Sequence, residues 1–191
     1  MTLFKIFISA FLINNVILMR FLALCPFIGM STDEDKSIGM GLAVTFVTVL
    51  ATCVTWPIFK FILEPLGLAF LQLLVFILVI AALVQLVEFY LKKSAPALYS
   101  AMGIYFALIT TNCAILAVTL DVISNGYTFV ESLVFAVGVA LGFLLSLLLL
   151  AGIRKRIRTS PIPSFLKGAP ILFVTACLLS MAFSGFSGLV K

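Results

Sequence analysis

The chain has 191 residues, of which 64% are hydrophobic and 10% charged, with a net charge of +5 and a mean hydropathy of +1.33. A soluble domain carries about 25% charged residues to cover its surface, so this composition excludes one, and the long apolar runs suit helices that face lipid. There is no histidine, the commonest general base and metal ligand, and the positive charge falls between apolar runs, where it orients a membrane protein instead of binding nucleic acid.

In chain order, the apolar runs predict six membrane spans: Leu3–Met30, Ser37–Leu63, Leu66–Leu91, Ala95–Leu120, Tyr127–Ile153 and Leu166–Val190. Lys5 ahead of an apolar run mimics a signal peptide. The run continues too far and no small-residue cleavage site follows, so the start is expected to be mature. The breaks carry polar or proline punctuation: Ser31 to Lys36, Glu64-Pro65, Lys92 to Pro96, Asp121 to Gly126, and Arg154 to Lys167. No connection is long enough for a soluble domain, so catalysis in water is not expected and no catalytic residue is assigned.

The first span is too long to be one simple helix. Its 28 residues would reach about 42 Å against a hydrocarbon core of about 30 Å. It contains Asn14, Asn15 and Arg20, and then Cys25-Pro26, where the proline disfavours helix. An arginine in mid-membrane costs on the order of 3 kcal/mol. A broken helix, with its loosened backbone packed against protein, accommodates all of these features. The fourth span is also overlong and has Thr110, Thr111 and Asn112 just before Cys113.

Connections after spans one, three and five hold Lys36, Lys92, Lys93, Arg154, Lys155, Arg156, Arg158 and Lys167, while the opposite side holds Lys5, Lys60 and Lys191. The positive-inside bias puts the eight-cation side in the cytoplasm and both termini outside. An offset of 88 lays the segment around Cys25 on that around Cys113, and an offset of 95 lays Ser37 on Ser132. Residues 1–94 and 95–191 therefore read as two three-helix halves. Three spans is an odd number, so the halves enter from opposite faces as an inverted repeat, each with its first helix broken. The expected fold class is an all-α integral membrane protein with six transmembrane helices.

All four cysteines, Cys25, Cys53, Cys113 and Cys177, lie inside apolar runs, which argues against a secreted disulfide framework. Breaking both overlong spans would draw Cys25 and Cys113 toward a common plane, where they look like half of a four-thiolate iron–sulfur site. The alternative is that cysteine acts as a small hydrophobe in a packed helix, and Cys53 and Cys177 are read that way. Arg20 reads as a snorkelling or helix-dipole partner, and Glu88, Asp121 and Glu131 as solvated carboxylates near span ends. Gly39, Gly41, Gly138 and Gly142 are expected to permit close helix contact.

At the cysteine segments a resemblance enters. NNVILMRFLALCPFIG from Asn14 to Gly29, LITTNCAIL from Leu108 to Leu116 and FSGFSGLVK from Phe183 to Lys191 closely resemble the A subunits of Rnf complexes, along essentially the whole chain. The chain is similar, more distantly, to the E subunits of sodium-pumping NADH:quinone reductases, from which Asn14 and Pro26 set it apart. The resemblance implies a subunit of a bacterial or archaeal cytoplasmic-membrane translocase that moves electrons between ferredoxin and NAD and couples them to Na+ or H+ movement. It further implies that Cys25 and Cys113 give two of the four ligands of a [2Fe–2S] cluster. An oppositely oriented homologous six-helix subunit, the E type, supplies the other two. Flavins, NAD and soluble clusters belong to the remaining B, C, D and G subunits. The competing readings are a secondary transporter of a small solute, since broken first helices in an inverted repeat also bind solutes, and a structural scaffold for neighbouring subunits.

Overall fold

In a hydrocarbon layer each backbone N–H and C=O must find its partner inside the protein, and helices achieve this within one segment. In the computed structural model, every regular element among the described residues is a helix. Those residues are 3–13, 15–32, 34–67, 69–94, 106–161, 163 and 166–185. Asn14, residues 95–105 at the start of the fourth expected span, the side chain of Lys36, and residues 186–191 with Lys191 lie outside them.

The helices are α1 (Leu3–Ile8), prolonged by a π-helical turn over Ser9–Ile13, α2 (Val16–Arg20), α3 (Leu24–Met30) and α4 (Glu34–Ile58), prolonged by a π-helical stretch over Phe59–Leu63. They continue with α5 (Gln72–Ser94), α6 (Phe106–Thr110), α7 (Cys113–Ser124), α8 (Phe129–Arg158) and α9 (Ala169–Ser184). Three stretches are long and apolar enough to cross a membrane unaided: Ser37–Leu63, Gln72–Tyr90 and Phe129–Arg158. Leu3–Leu12, Leu108–Ser124 and Ala169–Ser184 are shorter apolar helices. The molecule is thus a multi-pass membrane protein, all-helical in its regular elements among the described residues.

Helices α4 and α8 form its centre. Within their apolar windows 44% and 56% of residues are buried, against 22% in α5, which turns Leu74, Leu78 and Leu86 outward. The two run antiparallel. At one end Lys155 pairs with Glu34 at 3.1 Å, and at the other the Trp56 indole N–H donates to the Tyr127 carbonyl at 3.0 Å and stacks edge-on against Phe129. Close approach depends on small residues. Gly41 lies directly against Leu144, and a Cβ on Gly138 would come within 2.9 Å of the Ala10 Cβ. Gly39 is only half-buried. Helix α4 also buries a row of threonines at no hydrogen-bonding cost. Thr48, Thr52 and Thr55 each donate to the carbonyl four residues back, at 2.6–2.9 Å. Pro57 has no N–H to close the α-helical ladder, and the wider π-helical turns begin two residues later.

The C-terminal connection of α3 is tied to the end of α8. Arg154 donates to the Ile28 carbonyl and to Ser31 Oγ, both at 3.0 Å, so it caps one of the carbonyls that a helix end leaves open and also holds the side chain of the residue that follows. The segment after span one and the segment after span five therefore share a side of the molecule. The ends of α4 and α7 share the other side, where Trp56, Lys60, Glu64, Gly126 and Tyr127 line one cavity.

Candidate functional site

The first expected span is broken twice. Asn15 leaves the helical region at φ −64°, ψ 107° and caps α2, its side-chain oxygen accepting from the Ile17 N–H at 3.3 Å. Its amide nitrogen reaches into α8, donating to the Gly142 carbonyl at 3.0 Å and to Ser146 Oγ at 2.7 Å. Glycine is needed at 142 because a Cβ there would lie 2.8 Å from the Phe11 carbonyl oxygen. Helix α2 then ends on Phe21 at φ 53°, and Ala23 follows at φ 60°. Left-handed backbone at two non-glycine residues costs on the order of 1–2 kcal/mol each. The surroundings hold it in place: the Phe21 N–H returns to the Val16 carbonyl, and Ser180 of α9 donates to the Leu18 carbonyl at 2.5 Å.

The sequence expects a broken helix with proline disfavouring helix at Cys25, whereas the structure keeps Cys25 and Pro26 helical and breaks the span upstream of them. Both residues sit in the first turn of α3, just after Ala23. A first-turn N–H has no partner within the helix, so proline removes nothing there.

The fourth expected span breaks in the same chemical way. Asn112, at φ −74°, ψ 108°, caps α7, its side-chain oxygen accepting from the Ala114 N–H at 3.0 Å. Cys113 is therefore the first residue of α7, and its thiol donates to the Thr111 carbonyl at 3.8 Å. The caps show a relation that the cysteine alignment hid. Asn15 and Asn112 share a conformation at an offset of 97, whereas the cysteines stand at different distances behind them.

Both cysteines are exposed. Each lies in the first turn of a restarted helix, Cys25 just ahead of Pro26, which has no N–H, and Cys113 just ahead of Ala114, whose N–H is taken by the Asn112 side chain. The fold also brings their segments together, since α3 packs on α6, the helix that ends two residues before Asn112. Among the described residues no group of three or more His, Cys, Asp or Glu side chains gathers to hold a metal. Cys53 is half-buried, as a packing residue would be. Cys177 is exposed on α9 among Phe173, Val174, Leu178 and Met181, so it belongs to an outer apolar face and is not packed inside this chain.

A cavity of about 350 Å³ lies beside Cys113, walled by Ile77, Ile80, Asn112 and Leu116. Asn112 borders this cavity, and its amide nitrogen is buried and has no hydrogen-bond partner among the described residues. Two further groups escaped sequence reasoning. Arg20 ends α2 with its guanidinium on Asp121 of α7, at 2.7 and 2.9 Å to the two carboxylate oxygens. Glu131 completes a capping box with Thr128 at the start of α8. Neither carboxylate is simply solvated. The Thr128-to-Glu131 spacing could have signalled the box, but nothing local in the sequence pairs Arg20 with Asp121.

These features define a class: a multi-pass helical membrane protein whose interrupted spans each present a thiol at a helix start. The chain belongs to the Rnf-Nqr family of membrane-protein subunits, whose family model matches residues 3–190. It is 53% identical over 189 residues to the A subunit of the Na(+)-translocating ferredoxin:NAD(+) oxidoreductase complex of Acetobacterium woodii, covering 99% of this chain and 98% of that one. It is 52% identical to the A subunit of the ion-translocating oxidoreductase complex of Syntrophotalea carbinolica, covering 98% and 97%. Against the corresponding protein of Yersinia enterocolitica it is 47% identical, covering 97% and 96%.

Proposed function

We propose that this chain is the A-type membrane subunit of an Rnf ion-translocating oxidoreductase, with Cys25 and Cys113 supplying two of the four thiolates of an intramembrane [2Fe–2S] cluster. The observation that carries the reading is the placement of these two cysteines. They stand 88 positions apart, each in the first turn of a helix that restarts inside an interrupted apolar span. Exposure does not distinguish them, because Cys177 is exposed too; the helix starts do.

The residues present fit the group. Thiolate is the standard ligand of such clusters and four are required. Two free thiols make half a site, and the absence of a third ligand among the described residues leaves the other half to a partner. When bound, a [2Fe–2S] cluster takes up and releases one electron, and a relay at mid-depth divides the roughly 30 Å insulating layer into shorter tunnelling distances. The chain's own part is to hold two ligands at helix starts, with apolar side chains such as Ile80 and Leu116 beside Cys113.

The reading includes a topology. Six spans are arranged as two halves, 1–94 and 95–191, inserted in opposite directions, with both termini outside the cytoplasm of a bacterium or archaeon. The antiparallel α4 and α8, and the matching caps at Asn15 and Asn112, support it. The partner giving the other two thiolates is an oppositely oriented homologous subunit, and the complex couples ferredoxin-to-NAD electron flow to Na+ or H+ movement. The A. woodii relative's name carries the same activity.

The deciding experiment is electron paramagnetic resonance of reduced membranes containing the assembled complex. Cys25→Ser and Cys113→Ser should each remove one iron–sulfur signal and ferredoxin-to-NAD turnover, while partial reactions on the soluble subunits continue. An unchanged iron signal and normal turnover in an assembled Cys113→Ser complex would put the solute-transporter reading first.

A further inference from the structure

We infer that Asn112 belongs to the cluster site as a hydrogen-bond donor, its side-chain amide pointing a free N–H at the sulfur of the cluster or of its thiolates. The inference rests on the function proposed above and adds a residue that sets the electronic properties of that site.

The argument starts from two asparagines doing the same backbone task. Asn15 and Asn112 adopt nearly the same conformation, and each uses its side-chain oxygen on the N–H two residues ahead. An asparagine cap leaves its amide nitrogen over, with two hydrogens still to place. Asn15 places them on the Gly142 carbonyl and on Ser146 Oγ, so it fastens the broken helix to α8. Asn112 places none among the described residues, although it is 95% buried (relative exposure 5%). Serine, threonine or aspartate would cap α7 equally well, so capping does not explain the amide.

Native structures seldom bury a donor without an acceptor, and those that occur call for an occupant or a role. The cavity beside Asn112 has mostly apolar walls, Ile77, Ile80, Ala81 and Leu116. A bridging water there would need two to four polar partners. These apolar side chains offer none, and the polar groups that share the cavity with Asn112 are Thr110, Thr111 and Cys113. Cys113 is the adjacent residue and shares the cavity. An anionic sulfur held at Cys113 is an acceptor of the right kind in the right place. Such a bond is stronger in the reduced, more negative state, so it raises the reduction potential of the group it touches. The two halves have thus put one cap to different uses, the first for anchoring and the second for tuning.

The test separates the cap from the donor. Asn112→Ser keeps a capping oxygen and removes the amide, and Asn112→Asp keeps the oxygen while adding a negative charge. In the whole purified complex, both should retain iron and subunit composition. A redox titration followed by electron paramagnetic resonance should then show the intramembrane cluster shifted to lower potential in the order aspartate, serine, wild type, with altered g-values. Asn15→Asp serves as the contrast and should lower thermal stability without moving the potential. An intact cluster with unchanged potential and g-values in both Asn112 variants would overturn this inference and leave the proposed function standing. Loss of this subunit from the complex in both would assign the amide to folding and overturn it as well. A wild-type complex with no cluster dependent on Cys113 would instead refute the function on which the inference rests.

Discussion

Arg20 and Asp121, 101 positions apart, are joined by an ion pair of 2.7 Å that ties the end of the short α2 to the last turn of α7. Because the two helices come from different halves of the chain, the pair is a direct link between them. It also explains how an arginine is tolerated in an apolar span: its charge has a fixed partner.

Asp121→Asn should therefore lower the thermal stability of the purified complex by about 1–3 kcal/mol. The lower figure applies because half of the Arg20 side chain is exposed and an exposed pair is screened, the upper because an unpaired arginine in a membrane segment is costly. Arg20→Gln combined with Asp121→Asn should be less damaging than Asp121→Asn alone, since no charge is left without a counterpart. A double-mutant cycle on unfolding temperature measures this coupling. Strict additivity of the two changes would show that the pair contributes nothing to stability.

The glycines of α8 make a sharper packing prediction. Gly142→Ala should cost about 1–3 kcal/mol through overpacking, because its new methyl would lie 2.8 Å from a main-chain oxygen of the π-helical turn, which cannot move aside as a side chain can. Gly152→Ala meets nothing within 4 Å and should be neutral or stabilising by up to about 1 kcal/mol through helix propensity. Comparing the two in the same preparation removes the general effect of putting alanine into a helix.

Much of this arrangement was legible in the sequence because bilayer physics is strict about hydrophobic length. Ser37–Leu63 spans the same residues in both readings. The excess length of the first span, with its asparagines and arginine, announced a break. The position of that break was not legible. Read locally, Pro26 disfavours helix at Cys25, but a proline is harmless in a first turn, and the turn that does the breaking uses Phe21 and Ala23, which give no local signal for left-handed backbone. The Asn15 and Asn112 match was hidden for a related reason. The quantity shared between the halves is a cap conformation at an offset of 97, while the eye is drawn to the cysteines at 88. The Arg20–Asp121 pair is purely tertiary and invisible to any reading of local pattern.

Orientation is open to direct measurement. Arg154 bonds to Ser31 and Lys155 pairs with Glu34, so the first and fifth connections share one face. The basic residues of 154–167 should place that face in the cytoplasm. A reporter inserted in the Arg154–Lys167 connection should be active only inside the cytoplasm, and one fused after Lys191 only outside. The reverse pattern at both positions would invert the topology and remove the charge argument with it.

The last prediction concerns what the chain can do alone. Cys25 and Cys113 are exposed at helix starts, and no third ligand gathers near them among the described residues. A [2Fe–2S] centre needs four thiolates, so this chain produced without the homologous partner proposed above should hold no stable cluster, even when reconstituted with iron and sulfide. Co-production with the oppositely oriented homologue should restore iron to two atoms per pair, together with the visible absorbance of a [2Fe–2S] centre. Within that pair Cys53→Ser should leave iron content unchanged, because a hydroxyl in a helix can bond to its own backbone. Cys177→Ser should also be mild, its thiol lying on an outer apolar face. Iron is measured by colorimetric assay against protein concentration, with assembly checked by native gel. A full iron complement on the isolated chain would mean that Cys53 or Cys177 joins the site, and the shared-cluster reading would have to be abandoned.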